Sequence, residues 1–249
     1  MQKILGYLRR AITQYNMLSD GDKVAVGVSG GKDSVLLAAG LQRVREFIGI
    51  DFSIIAVTLD PCFENIETDY SPVTEYLNSM GIEHIIRRTN IGDVVFDIRK
   101  ESNPCSLCAR MRRGVLHDVA RENGCNIIAL GHHSDDAVET FVMNLFNEGR
   151  VGCFRPVTYL SRKDVTVIRP LCLTPENEIQ KVINRLNIPV VKNSCPIDGK
   201  TERQWTKDFL VELEKEHKGV RNRLFGAMIR GDISGWGDKS KPITQDDEI

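Results

Sequence analysis

The stretch that decides the fold class is residues 23–34, which read KVAVGVSGGKDS. Residues 23–29 alternate valine with small residues and predict a short buried strand. Gly30 and Gly31 follow at once, and an apolar helix is predicted from about residue 34 to residue 47. Where a strand passes through glycines into a helix, backbone N–H groups and the positive end of the helix dipole meet. This arrangement favours a phosphate ligand.

The alternation of strands and helices continues along the rest of the chain. Further strands are predicted over residues 52–60, 84–89, 126–130, 165–171 and 189–191. Helices are predicted over residues 3–17, 72–80, 106–123, 135–147, 202–217 and 219–230, with one more beginning near Pro175. The strands are continuous apolar runs, which is typical of a parallel sheet covered by helices on both faces. We therefore predict an α/β fold with a doubly wound parallel sheet, whose ligand lies beyond the carboxyl ends of the strands.

The chain divides into four predicted segments. An N-terminal helix occupies residues 1–19 and the α/β domain residues 20–192, and a C-terminal helical extension that carries Cys195 occupies residues 193–231. The last segment, residues 232–249, has five acidic residues against two lysines and few residues that could build a core. We predict that it is a disordered acidic tail.

The composition is that of a globular protein. The chain has 249 residues, of which 41% are hydrophobic and 27% charged, and this excludes a disordered or fibrous protein. No apolar run approaches the ~20 residues needed to cross a bilayer, and the N-terminus lacks the pattern of a signal peptide. We therefore expect a cytoplasmic protein without a membrane partner. Seven cysteines, an odd number, argue against a disulfide framework.

Charge is segregated along the chain. Lys and Arg number 33 against 34 Asp and Glu, a balance that by itself argues against nucleic acid. Residues 87–113 nevertheless carry seven basic and three acidic residues, a net charge of +4. Residues 192–230 carry nine basic and six acidic residues, a net charge of +3. Such runs are often solvated helix faces, but both flank the candidate chemistry described below, so the overall charge balance does not exclude a nucleic-acid partner.

The loop over residues 29–34, SGGKDS, has the residue types that a phosphate ligand needs. Lys32 adds a positive charge, and Ser29 and Ser34 add hydroxyl donors. The loop is not a Walker A motif, since Asp33 separates the lysine from the serine, and it lacks the G-x-G-x-x-G of dinucleotide folds. An acid inside a phosphate cradle is repulsive unless it holds a cation. We therefore assign Asp33 to Mg²⁺.

This loop resembles the PP-loop of the ATP pyrophosphatase family, whose members cleave ATP between the α and β phosphates. The resemblance implies that Lys32 and Asp33 are catalytic and that the first two strands line an ATP pocket. The implied ATP-binding residues are Val28, Ser29, Gly30, Gly31, Lys32, Asp33, Ser34, Thr58, Asp60 and Gly131.

A second acidic motif, GHHSDD at residues 131–136, ends the fourth predicted strand and opens a helix. An open α/β sheet directs this point into the same crevice as the phosphate loop, where paired carboxylates could bind Mg²⁺ or accept a proton. Asp135 fits a helix cap, whereas Asp136 is the better catalytic residue and Mg²⁺ ligand. His132 and His133 are either metal ligands or hydrogen-bonded strand-end histidines. The motif resembles the second signature of tRNA-modifying PP-loop enzymes.

Three cysteines form a candidate cluster site. Cys105 and Cys108 have CxxC spacing at the start of a predicted helix, where two thiolates can bind one metal or cluster. Cys195 lies in a polar loop at the ligand edge of the predicted sheet. Two thiolates and a distant third suit an iron–sulfur cluster with one iron free of protein ligands, whereas zinc would prefer a fourth ligand. Cys153 and Cys172 remain alternatives for the third position.

The cysteine pattern, above all residues 104–114, is similar to that of the tRNA 2-thiocytidine synthetase family. The resemblance covers about residues 20–230 and implies that Cys105, Cys108 and Cys195 hold a [4Fe-4S] cluster. It further implies ATP-dependent thiolation of tRNA. A pyrimidine carbonyl oxygen is adenylated, and sulfide bound at the cluster then replaces it with release of AMP.

The same reaction suggests how tRNA is held. Arg112 follows Cys108 by one helical turn and is expected to bridge cluster, ATP and base, which makes it a catalytic candidate. Arg110 and Arg113 either contact tRNA or are solvated. The resemblance implies a cytidine in an anticodon loop as the substrate, and a single-stranded loop can present an extruded pyrimidine. A cysteine desulfurase or sulfide is the expected sulfur donor, and a homodimer the expected assembly.

Two other functions use the same motifs. A cluster-free PP-loop ligase, similar to lysidine synthetase, needs the phosphate loop and the aspartates but not the cysteines. The CxxC pair would then bind zinc or have no role. A nucleotide or metal sensor would bind ATP without turnover. For Phe154, Tyr159 and Trp205, stacking on bases competes with ordinary packing.

Overall fold

The computed structural model describes residues 1–100, 104–192, 195–197, 199 and 201–237. Its strands are β1 (Asp22–Gly27), β2 (Phe52–Asp60), β3 (Glu83–Arg88), β4 (Ile127–Ala129), β5 (Val157–Leu160) and β6 (Val165–Ile168). They form a six-stranded sheet in the order β3-β2-β1-β4-β6-β5. Neighbouring strands are parallel from β3 to β6, whereas β5 runs antiparallel to β6. The predicted α/β fold is confirmed.

Helices cover both faces of this sheet. They are α1 (Gln2–Gln14), α2 (Lys32–Val44), α3 (Ser71–Ser79), α4 (Ile91–Asp93), α5 (Pro104–Glu122), α6 (Ser134–Asn147), α7 (Glu176–Leu186), α8 (Glu202–Glu216) and α9 (Val220–Arg230). A π-helical turn covers Val94–Arg99, and 3-10 turns cover Phe63–Asn65 and Ile233–Gly235. Within the described ranges, no helix has both the length and the apolar character that a membrane span requires.

The central strand β1 lies between two cores. Its residues Val24 and Val26 pack with apolar residues of α1, α2 and α7 on one face. The residue between them, Ala25, packs on the other face with Val119 of α5. Because β1 is in the middle of the sheet, the loop that follows it is at the centre of the carboxyl edge.

Two strand predictions are wrong. The edge strand β5 is absent from the sequence prediction, and it pairs with β6 in a short hairpin that places Tyr159 opposite Thr166. Residues 189–191, predicted as a strand, are not one. Instead, the Val191 N–H donates to the Gly30 carbonyl at 2.9 Å, so this segment runs beside the phosphate loop without joining the sheet.

The C-terminal helical extension packs on the α/β domain, since α8 and α9 both contact α6. Beyond α9, Trp236 is fully buried, and its Nε1–H donates to the Phe154 carbonyl at 2.7 Å. The Tyr15 hydroxyl donates to the Trp236 carbonyl at 2.9 Å. The prediction that a disordered tail begins at residue 232 is therefore wrong for residues 232–237. Residues 238–249 lie outside the described residues.

Candidate active site

The phosphate loop is shaped by its own hydrogen bonds. The Ser29 N–H donates to the Ser34 hydroxyl oxygen at 3.0 Å, and the Ser34 hydroxyl donates to the Gly31 carbonyl at 2.9 Å. Gly30 has a φ of +87°, and a Cβ there would lie 3.0 Å from the Val191 carbonyl oxygen. Glycine alone suits both this left-handed backbone and this close approach, so the loop is preformed.

The second acidic motif lies directly against the phosphate loop. Gly131 follows β4, and a Cβ added to it would lie 3.1 Å from backbone atoms of Asp33 and Ser34. Because β1 and β4 are adjacent parallel strands, their carboxyl ends bring these two motifs together.

A cavity of about 600 Å³, which we call the nucleotide cavity, opens at this point. It is lined by five residues of the predicted ATP-binding set, namely Val28, Ser29, Asp33, Ser34 and Gly131. Its apolar lining includes Gly27, Val57, Leu59, Leu116 and Leu130. Its remaining lining includes Arg112, Arg113, His132, Phe154, Arg169 and Arg203. A preformed polar loop beside apolar and cationic surfaces suits a nucleotide.

The side chains of Thr58 and Asp60 face away from the nucleotide cavity. Thr58 is buried, and its hydroxyl donates to the Val28 carbonyl at 2.7 Å. Asp60 is buried and accepts two backbone N–H groups at 2.8 and 3.1 Å. Neither residue is among those that line the nucleotide cavity, and their assignment to ATP stays a prediction. Successive residues of β2 alternate between its faces, and Val57 and Leu59 line the cavity instead.

Asp33 and Asp136 converge on the ring of His133. The His133 Nε2 atom lies 3.9 Å from Asp33 Oδ1 and 3.4 Å from Asp136 Oδ2. Asp33 Oδ1 is buried without a hydrogen-bond partner. Among the described residues, no three His, Cys, Asp or Glu side chains could hold a metal ion by themselves. Mg²⁺ is usually bound by one or two carboxylates together with phosphate oxygens, so this pair fits an ion that arrives with a phosphate ligand.

The other residues of the second motif have structural contacts. The His133 ring accepts the Asp136 N–H at 3.3 Å and caps α6. Asp135 accepts the Glu176 N–H at 2.8 Å, as a helix cap does at the start of α7. Burial lowers the pKa of His132 to about 4, so its ring is neutral near pH 7. The cap contact favours the interpretation of His133 as structural, whereas His132 Nδ1 is buried without a hydrogen-bond partner.

Lys32 is held between two carboxylates. Its Nζ atom lies 3.0 Å from Asp33 and 3.0 Å from Glu176, and Glu176 also lies 3.0 Å from Lys207 of α8. Burial by itself would raise the pKa of Glu176, but hydrogen bonds from Lys207 and Lys32 outweigh it and lower the pKa to about 2. Glu176 is therefore ionised and joins the phosphate loop to the C-terminal helical extension.

Sequence reasoning missed three residues of this charged network. They are Arg203, Lys207 and Glu176. Arg203 of α8 lies 3.0 Å from Asp136, and Glu176 lies between Lys207 and Lys32. The sequence signals for these residues were weak. Glu176 was noted only as part of a helix start, and Arg203 and Lys207 only as part of a segment with net positive charge.

A second cavity, of about 470 Å³, contains the three predicted cluster ligands, and we call it the cysteine cavity. Cys105 and Cys108 come from the first turn and a half of α5, and Cys195 from the segment before α8. Burial raises the pKa of Cys108, while the charge of Arg112 opposes this shift. No three ligand side chains among the described residues could share one ion. A [4Fe-4S] cluster does not need three thiols on one ion, because each cysteine of a cluster binds a different iron.

Cys153 and Cys172 lie outside the cysteine cavity. Burial raises the pKa of both thiols, that of Cys153 to about 12. The Cys153 thiol donates to the Ala137 carbonyl at 3.3 Å. Both side chains behave as buried apolar groups, and the geometry favours Cys195 as the third ligand.

The nucleotide cavity and the cysteine cavity share a wall. Ser29, Ala109 and Arg112 line both of them. Arg113 lines the nucleotide cavity, whereas Arg110 is exposed and lies outside both. The structure therefore brings Arg112 to the position where a residue can contact both a nucleotide and a cluster.

Comparison with known proteins identifies the family. A family model described as a PP-loop domain matches residues 6–214. The chain belongs to the PP-loop family. This PP-loop chain resembles the tRNA-cytidine(32) 2-sulfurtransferase of Geobacter sulfurreducens, with 37% identity over 91% of this chain and 89% of that protein. The tRNA-cytidine(32) 2-sulfurtransferase 1 of Francisella tularensis subsp. novicida is 38% identical over 91% of this chain and 85% of that protein.

A solved structure agrees with this assignment. The U34-tRNA thiolase NcsA from Methanococcus maripaludis, solved with its [4Fe-4S] cluster, matches with a TM-score of 0.75 at 28% identity. The match covers 91% of this chain and 76% of that one. The predicted membership of the PP-loop tRNA-thiolation enzymes is confirmed.

Proposed function

We propose that this PP-loop protein is an ATP-dependent tRNA sulfurtransferase that replaces the C2 oxygen of an anticodon-loop cytidine with sulfur. The wall shared by the nucleotide cavity and the cysteine cavity carries the proposal. Activation of a carbonyl by ATP and delivery of sulfur must occur at the same carbon atom, and two adjoining cavities suit that requirement. The relatives named for tRNA cytidine 32 support cytidine as the base.

The chain offers a place for each cofactor. The loop at residues 29–34 would bind the ATP phosphates, and Asp33 and Asp136 would hold Mg²⁺ beside them. The three thiols of the cysteine cavity would hold a [4Fe-4S] cluster. When bound, the cluster supplies sulfide at the iron that no cysteine binds.

In the first step, the pyrimidine O2 atom attacks the α-phosphorus of ATP. The new O–P bond forms as the bond from the α-phosphorus to the bridging oxygen breaks, and pyrophosphate leaves. Such transfers depend on positioning and charge neutralisation more than on covalent chemistry by the protein. Backbone N–H groups of the loop orient the phosphates, and Lys32 exchanges Glu176 for a phosphate oxygen. Arg112 neutralises charge on the side of the shared wall.

In the second step, sulfide adds to C2 and the bond from C2 to the adenylated oxygen breaks. AMP leaves in place of oxide, which would be a far poorer leaving group. Because Arg112 lines both cavities, it stays beside the AMP phosphate while sulfur approaches. The apolar lining that includes Val57, Leu59 and Leu116 limits the access of water to the adenylated base.

The tRNA contacts follow from charge and exposure. Arg113 faces the nucleotide cavity and is assigned to the target nucleotide, whereas the exposed Arg110 is assigned to the RNA backbone outside it. The base has to leave its stack to enter the cavity. A cysteine desulfurase or sulfide provides the sulfur, a homodimer is the proposed assembly, and the cytoplasm, where tRNA is found, the proposed location.

The decisive experiment is mass spectrometry of tRNA nucleosides from a deletion strain. The strain is complemented with the wild-type protein, with Cys105→Ser, and with Cys62→Ser. Cys62 is the matched control because it is a partly buried thiol outside the cysteine cavity. We expect 2-thiocytidine to disappear on deletion and to return with the wild type and with Cys62→Ser, but not with Cys105→Ser.

The other outcomes identify the competing functions. An unchanged nucleoside profile after deletion refutes the proposal. Loss of a lysine-bearing nucleoside, with 2-thiocytidine retained, indicates a cluster-free ligase. ATP binding without tRNA-dependent pyrophosphate release indicates a sensor.

A further inference from the structure

Arg203 brings the C-terminal helical extension into the nucleotide cavity. It is the second residue of α8, and its side chain is 43% exposed. Of the described residues beyond position 192, Arg203 is the one that lines this cavity, together with Ser29, Asp33 and Ser34 of the phosphate loop. A guanidinium that faces the loop from a separate helix is placed to meet the phosphates that the loop binds.

Arg203 pairs with Asp136, the carboxylate that is proposed to bind Mg²⁺. Its Nη1 atom lies 3.0 Å from Asp136 Oδ1, whereas its contacts to Thr140 Oγ1 at 3.4 Å and to Glu139 Oε2 at 3.9 Å are longer. Asp136 Oδ2 accepts the His133 N–H at 3.0 Å. A cation that binds Asp136 therefore competes with Arg203 and weakens its main contact.

The other arginines of the cavity differ from Arg203 in this respect. Within the described part of the chain, no carboxylate lies within 4.0 Å of Arg112, Arg113 or Arg169. Arg169 is fixed by a hydrogen bond from Nη1 to the Arg155 carbonyl at 2.6 Å and by its stacking on Phe154. The cavity thus has more positive charge than its acids balance, which suits a polyphosphate. Arg203 is the cavity arginine that has to change partners when the ligand arrives.

We propose that Arg203 is a phosphate-binding residue that exchanges Asp136 for an oxygen of the ATP polyphosphate when Mg²⁺ and ATP enter the nucleotide cavity. The inference rests on the proposed function, which assigns Asp136 to Mg²⁺. The exchange leaves each negative oxygen with a cation: Asp136 with Mg²⁺ and the phosphate with the guanidinium. It also makes ATP binding depend on α8, which follows the segment that carries Cys195.

Arg221 of α9 provides a matched control. Its Nη1 atom lies 3.5 Å from Asp135 and 3.7 Å from Glu139, so it too joins the C-terminal helical extension to α6 by an ion pair. It lies outside the nucleotide cavity, in a groove between α6, α7, α8 and α9. If the role of Arg203 were purely structural, replacing Arg203 and replacing Arg221 would have similar effects on nucleotide binding.

The test is isothermal titration calorimetry with Mg²⁺ and the α,β-methylene analogue of ATP, and separately with adenosine. For Arg203→Gln we expect the affinity for the analogue to fall roughly 10- to 100-fold, the range for a lost charge-assisted hydrogen bond. The affinity for adenosine, which has no phosphate, should change less than about 2-fold. Arg203→Lys should lie between wild type and Arg203→Gln, because it keeps the charge without the planar fork. Arg221→Gln should bind both probes like the wild type.

Three results would overturn the inference. They are an unchanged affinity of Arg203→Gln for the analogue, an equal loss for the analogue and for adenosine, and an equal loss in Arg221→Gln. The titration needs neither tRNA nor a cluster. A protein that binds the analogue through Arg203 but thiolates no tRNA would therefore refute the proposed function and leave this inference standing.

Discussion

The ammonium of Lys32 lies 3.0 Å from the carboxylate of Glu176, and the same carboxylate lies 3.0 Å from Lys207. One side chain at the start of α7 thus connects the phosphate loop with α8. The C-terminal helical extension is therefore part of the site, since it supplies both Lys207 and Arg203.

Replacing Glu176 by Gln should lower the free energy of unfolding at neutral pH by about 1–2 kcal/mol, because two partly buried ammonium groups lose their shared carboxylate. The pKa of Glu176 is lowered from 4.5 to about 2. Its contribution is therefore complete above pH 4.5 and is lost as the pH falls toward 2. Urea unfolding at neutral pH and at about pH 3 should show the difference between wild type and variant shrinking with acid. A difference that does not depend on pH would contradict this account.

Asp33→Asn and Asp136→Asn should each reduce tRNA-dependent pyrophosphate release by about 100-fold or more, because Mg²⁺ and its charge are lost from the phosphates. Pyrophosphate is measured by a coupled assay at saturating ATP. The control is Asp118→Asn, which removes an exposed ion pair with Lys163 far from the loop. Normal pyrophosphate release by either aspartate variant would refute the assignment of that aspartate to Mg²⁺.

Serine at Cys105, Cys108 or Cys195 should abolish the iron and labile sulfide of anaerobically purified protein, together with its visible absorption. Each thiol lines the cysteine cavity, and a cluster with three protein ligands does not tolerate the loss of one. Cys153→Ser should retain full iron content, because that thiol bonds to the Ala137 carbonyl instead. Iron retained by Cys195→Ser and lost by Cys153→Ser would reverse the assignment of the third ligand.

Arg112→Met should reduce tRNA thiolation by about 100-fold while iron content stays at the wild-type level, because the side chain lines both cavities but is not a cluster ligand. Product is quantified as 2-thiocytidine, and iron by a colorimetric assay. Arg121→Met is the control, since it removes an exposed arginine near the end of the same helix and outside both cavities. Equal activities of the two variants would exclude a special role for Arg112.

Trp236→Ala should lower the free energy of unfolding by about 3–5 kcal/mol, since it empties a fully buried site that contacts Tyr15 and Phe154. Trp205→Ala, at a side chain that is 52% exposed, should cost less than about 1 kcal/mol. Urea unfolding followed by circular dichroism measures both. A small loss for Trp236→Ala would restore the idea of a mobile tail from residue 232.

Local signals made much of the fold and of the site predictable. The glycines at 30 and 31 suit a tight backbone around a phosphate, and the largely apolar run at 52–60 predicted the bounds of β2 as observed. Side-chain direction was harder to predict. Residues 57–60 read Val-Thr-Leu-Asp, but because β2 is buried on both faces this alternation did not show which face meets the cavity.

Contacts between distant parts of the chain could not be predicted. The pairing of Arg203 with Asp136 depends on how α8 docks against α6, and no local pattern encodes that docking. The same holds for Trp236, whose burial depends on Tyr15 near the other end of the described chain. The short strand β5 was missed because four residues in a hairpin carry too little apolar pattern to stand out.

The wall shared by the two cavities sets how far a sulfur atom has to travel. Ser29 and Arg112 each line both cavities, so in the proposed reaction the ATP phosphates and the three thiols would lie on the two sides of shared side chains. Across such a shared wall the proposed reaction would need no swinging arm, tunnel or hand-over to a second enzyme. Activation and sulfur insertion can be completed during a single docking of the tRNA, before the labile intermediate meets bulk water.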